Sequence, residues 1–82
     1  MRVVEIAGRK YRLFFVASIH EEANYVECRA MDTGDCVCEI RMDSADTLSL
    51  MPTLGEIDVN VVVEAIAYAK EVAHPSDGAS SD

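Results

Sequence analysis

Tyr25-Val26-Glu27-Cys28-Arg29-Ala30-Met31-Asp32-Thr33-Gly34-Asp35-Cys36-Val37-Cys38-Glu39-Ile40-Arg41-Met42 decides the fold, because its side chains alternate with the period of two that an extended strand presents. On the first arm Val26, Cys28 and Ala30 fall to one side, Glu27 and Arg29 to the other. On the second, Cys36, Cys38, Ile40 and Met42 oppose Asp35, Glu39 and Arg41. Asp32-Thr33-Gly34 suits a three-residue hairpin loop, with Gly34 supplying left-handed backbone after a type I turn. That loop predicts a register in which Cys28 lies opposite Cys38, Ala30 opposite Cys36 and Val26 opposite Ile40.

Backwards from the hairpin, Glu21-Glu22-Ala23-Asn24 reads as a turn and Tyr11 to Ile19 as a long strand rich in β-branched and aromatic residues. A tight loop there pairs Ile19 with Val26, Ala17 with Cys28 and Phe15 with Ala30. Val3 to Ile6 adds a first strand through the turn Ala7 to Lys10. One face of the resulting meander carries Val4, Ile6, Tyr11, Leu13, Phe15, Ala17, Ile19, Val26, Cys28, Ala30, Cys36, Cys38, Ile40 and Met42. The other mixes charge with an apolar patch of Phe14, Val16, Met31 and Val37.

Forwards, Asp43 to Gly55 mixes turn formers with Leu48, Leu50, Met51 and Leu54, an ordered connection across a sheet edge in which Thr47 to Leu50 is a brief extra strand at most. Asp58 is the N-cap of a helix that runs to Ala73 and stops at His74-Pro75. The fold class is therefore α+β: a four-stranded antiparallel β-meander followed by one C-terminal α-helix packed on the sheet. Residues 1–74 make a single domain, and 75–82, with no large apolar side chain, form a disordered tail.

The helix is more apolar than one contact requires. At about 100° per residue, Asn60, Glu64 and Glu71 share a narrow polar strip. Val59, Val62, Val63, Ile66 and Ala73 make one apolar stripe, expected to cover the sheet, and Val61, Ala65, Tyr68 and Val72 make a second that points aside. The second stripe needs a cover, either Leu48, Leu50, Met51 and Leu54 of the same chain or another protein. Interface residues are accordingly expected at Val61, Ala65, Tyr68 and Val72, with Phe14 and Val16 on the outer sheet face.

Composition excludes more than it identifies. The chain has 82 residues, 50% apolar and 27% charged, with a net charge of −8. Seven basic against fifteen acidic residues repel phosphate backbones, so nucleic acid is not an expected partner. No apolar run approaches the ~20 residues of a membrane span, and Glu5, Arg9, Lys10 and Arg12 break any secretory pattern at the start. The expectation is a cytoplasmic protein.

Three thiols on one predicted face, Cys28, Cys36 and Cys38, are soft ligands for zinc or copper(I). Their C-x-C spacing is not that of common zinc sites, a fourth ligand is missing, and buried cysteine packs as a small hydrophobe. His20, Glu21 and Glu22 gather an imidazole and two carboxylates in a loop without a nucleophile beside them. Glycine-rich phosphate loops, H-E-x-x-H and G-x-S-x-G are absent. The sequence therefore points to a non-enzymatic protein-interaction or regulatory module that self-associates as a homodimer or binds a protein partner, with no catalytic residue, metal or cofactor. The alternative is a small-molecule or thiolate metal binder between sheet and helix near the three cysteines.

Overall fold

In the computed structural model, which describes residues 1–17, 24–44, 47–53 and 55–73, the alternating stretch forms a hairpin, and the strands on either side extend the same sheet. The elements are β1 (Arg2–Ile6), β2 (Arg9–Ala17), β3 (Asn24–Ala30), β4 (Cys36–Ser44), β5 (Thr47–Pro52) and α1 (Val59–Ala73). Strands lie in sequential order and every neighbouring pair is antiparallel. The expected α+β arrangement is the observed one, with five strands in place of four. The fifth arises because Leu48 and Leu50 alternate with Ser49 and Met51, so the segment pairs along β4 with Leu48 and Leu50 on the helix side. Pro52 closes it, as an edge strand permits.

The β1–β2 turn is tighter than its sequence implies. Ile6 pairs with Arg9, leaving Ala7 and Gly8 at φ 54° and 80°, the two left-handed residues of a type I′ hairpin turn. β2 thus starts at Arg9. Ile19, the group His20-Glu21-Glu22, Leu54 and the tail expected at 75–82 lie outside the described residues.

Two registers differ from those the loops imply. Between β2 and β3 the pairs are Tyr11 with Ala30, Leu13 with Cys28 and Phe15 with Val26, a slide of four residues along β2 from the expected ladder. An even slide keeps the same side chains on the helix face, but it carries Phe15 out to the rim, where it is 43% exposed, and draws Tyr11 and Leu13 into the core. No glycine enforces a tight loop between these strands, so side-chain packing chooses the register.

Between β3 and β4, Cys28 pairs with Cys38 and Val26 with Ile40 as expected, but Cys36 meets Arg29 and not Ala30. The hairpin end is the cause. The Gly34 amide, at φ 81°, donates to the Ala30 carbonyl at 2.7 Å, and the Ala30 amide donates to the Asp35 carbonyl at 2.9 Å. The loop therefore spans Met31 to Gly34, one residue more than the ladder beyond it can follow, and a β-bulge at Val37 absorbs the difference. Val37 turns inward, 3% exposed, and Cys36 turns out. The expected positions of both side chains are reversed.

Helix α1 starts where Asp58 caps it, its Oδ1 accepting from the Asn60 amide at 2.8 Å. The core between helix and sheet is built from Leu13, Val26, Cys28, Ile40, Val61 and Ala65, all at 1% exposure or less, with Tyr11, Ala30, Val37, Cys38, Met42, Tyr68 and Ala69 around them. No charged or polar side chain among the described residues is buried there. Nor is any described helix long and apolar enough to cross a membrane.

Candidate functional site

The helix meets the sheet chiefly with the second of its two apolar stripes. Of the stripe expected there, Ile66 and Ala73 still pack against the core, while Val59 and Val63 do not. Val61, Ala65, Tyr68 and Ala69 are buried, and Val72 packs beside them. Two alanines one turn apart let the helix backbone approach the strands closely, which a stripe of valine and isoleucine does not. Arg2, at the start of β1, reaches up to the same face: its guanidinium lies 5.1 Å from the Tyr68 ring and pairs with Glu71. That hydrogen bond pulls the Glu71 carboxyl below its ordinary range. Four of the expected interface residues, Val61, Ala65, Tyr68 and Val72, thus belong to the chain's own core.

What the helix shows outward is part of the other stripe. Val59 is 69% exposed and Val63 54%, while Val62 and Ile66 are half-buried along their flank. Val59, Val63, Ile66 and Lys70 follow one another at spacings of four, three and four, so they form a single ridge along the cylinder. Along this ridge Val59 and Val63 are exposed, Ile66 is half-buried with part of its side chain packed against the core, and Lys70 closes it with one cation.

The outer face of the sheet is more mixed. Phe14 and Val16 are half-buried there, Phe14 opposite Glu27 and Val16 opposite Tyr25. Arg12 stands 6.0 Å from the Phe14 ring. Val3, opposite Arg12, adds a third apolar side chain. Met31 is exposed in the hairpin loop, and Val37 has left this face for the core.

The three thiols do not gather. Cys28 and Cys38 face each other as free thiols, fully buried under the helix. The hydrogen bond between them and the loss of solvent push the Cys28 thiol far up, so it stays protonated. The bulge sends Cys36 to the outer face, where its Sγ and the carboxylates of Glu27 and Glu39 lie within 4.8 Å of one another. Burial, then Glu39 and Glu27, raise the Cys36 thiol against a smaller opposite pull from Arg29. Arg29 holds Glu27 at 3.0 Å and the Gly34 carbonyl at 3.0 Å. One soft and two hard donors in this arrangement suit a single divalent cation such as zinc. The bulge that makes the trio carries no glycine or proline to announce it, which is why strict alternation placed Cys36 in the core.

A helix laid on one face of a sequential antiparallel meander defines the class of architecture to which this chain belongs. No protein-family model, no curated protein and no solved structure matches the chain.

Proposed function

We propose that the chain is a small non-enzymatic interaction or regulatory module that acts by self-association, with the outward ridge of α1 as its working surface. One observation carries this reading: a helix whose sheet-facing side is already filled still turns Val59 and Val63 to solvent. Val59, Val62, Val63 and Ile66 therefore take the place of Val61, Ala65, Tyr68 and Val72 as the proposed interface, with Phe14 and Val16 a lesser surface broken by Arg12 and Glu27.

Charge supports a protein partner over a nucleic acid. Of seven basic residues, Arg2, Arg9, Arg29 and Arg41 are each engaged with a carboxylate. Arg9 grips Asp32 with two nitrogens at 3.0 to 3.2 Å and holds that carboxyl below its ordinary range. Little basic surface is left for a phosphate backbone. Facing free thiols fit the proposed cytoplasmic setting, since a reducing compartment leaves such a pair unjoined.

Sedimentation equilibrium across the micromolar range checks the proposal. The expected outcome is a mass that rises with concentration and levels at two chains; a single-chain mass throughout removes it.

A second reading has Cys36, Glu27 and Glu39 behind it: a divalent-cation binder on the outer sheet face. Zinc titrated calorimetrically into the reduced protein is then expected to bind one to one. Affinity rises with pH, because the cation must displace the proton that burial and the two carboxylates hold on Cys36. Cys36→Ser is expected to weaken binding about tenfold or more; equal affinity in wild type and variant dismisses this reading.

A further inference from the structure

Resting on the self-association just proposed, we infer that two copies meet through their α1 helices, antiparallel about a two-fold axis, with Lys70 of each lying over the acidic start of the other's helix. The ridge itself gives the direction. It is apolar at the exposed Val59 and Val63 and at the uncovered part of Ile66, which is half-buried against its own core. It ends in Lys70, which makes no ion pair among the described residues. At its opposite end stand two exposed acids, Glu56 and Asp58.

A two-fold axis between Val63 and Ile66 sets each of these residues against the other's counterpart in the second copy, the self-complementary contact that an isologous dimer requires. With a rise of about 1.5 Å per residue, Lys70 then lies within about 1.5 Å, along the helix axis, of Asp58 in the second copy. Its aliphatic stem covers that copy's Val59 while its ammonium reaches Asp58 and Glu56. A parallel pairing instead brings Lys70 against Lys70 and the acids against each other.

Exposed Ala67 beside Val63 leaves the helices room to approach. The second copy buries what the first cannot, giving a sheet, two helix layers and a second sheet. Fifteen residues make a helix only ~22 Å long, so the contact is smaller than a standard interface of ~800 Å² per partner and the dimer is weak. In so small a contact charge decides orientation more than affinity.

The test is sedimentation equilibrium of the full chain and three variants, each first shown folded by circular dichroism. Wild type is expected to be dimeric, Val63→Lys to weaken association at least tenfold, Lys70→Glu to weaken it several-fold, and Glu56→Lys added to Lys70→Glu to recover most of that loss. Monomeric wild type at every concentration overturns the self-association reading itself. Dimeric wild type with Val63→Lys equally dimeric overturns only the helix interface. Loss on Val63→Lys with Lys70→Glu unchanged, or with no recovery in the double variant, overturns the antiparallel arrangement.

Discussion

Val61→Asp is expected to unfold the protein, while Val63→Asp, two residues on, leaves it folded. Val61 has no solvent exposure and packs in the core with Leu13, Ile40 and Ala65. A carboxylate placed there has no cation near it among buried residues, since the described core holds no polar side chain. Such groups stay neutral by raising their pKa 3–5 units, at about 1.36 kcal/mol per unit, and ~1.5–3 kcal/mol of valine burial is lost as well. The total reaches the ~4–12 kcal/mol that a domain of this size has at its disposal. Val63 is more than half exposed, and its replacement costs less than ~1 kcal/mol in helix propensity.

Thermal and urea unfolding followed by circular dichroism measures both. The pH dependence adds a second check. The introduced carboxylate has a folded-state pKa above its unfolded value, so the Val61→Asp variant is least unstable in acid and loses further stability as pH rises through the folded pKa. Equal melting of the two variants contradicts the orientation of α1.

Leu13→Ala is expected to cost ~2–5 kcal/mol, against ~1 kcal/mol for Phe15→Ala on the same strand and the same face. Leu13 is fully buried opposite Cys28, whereas Phe15, opposite Val26, stands at the rim. The ladder implied by a tight loop reverses this expectation, since it sets Phe15 against Ala30 in mid-sheet. Urea midpoints at unchanged slope decide between the two registers. A larger loss for Phe15→Ala than for Leu13→Ala contradicts the observed ladder.

Much of the site was hidden for the same reasons. The helix carried two apolar stripes, and both were visible as spacings. Which of them would meet the sheet followed from the polar strip Asn60, Glu64 and Glu71 only if that strip pointed straight away from the sheet. It does not: Glu71 reaches sideways to Arg2, and the helix is rolled until Ala65 and Ala69 lie against the strands. The signal that was present, two alanines one turn apart in the stripe with Tyr68, was of close approach rather than of amphipathicity. The trio of Glu27, Cys36 and Glu39 depended on a bulge at Val37, and a bulge is settled by how one loop's length meets the ladder beyond it.

The amino-acid sequence by itself determined four of the five strand segments and the helix, their antiparallel succession, the cap at Asp58 and the excess of apolar surface on α1. Period-two and period-3.6 patterns act within a few residues of chain and need no distant partner. Only the tertiary structure decided the fifth strand's pairing, the four-residue slide of β2 on β3, the turn of Cys36 out of the core and the roll of the helix. Each is a choice among arrangements that leave local patterning intact. What separates them is the fit of side chains from distant parts of the chain: Leu13 against Cys28, Ala65 and Ala69 against the strands, and Arg2 against Tyr68.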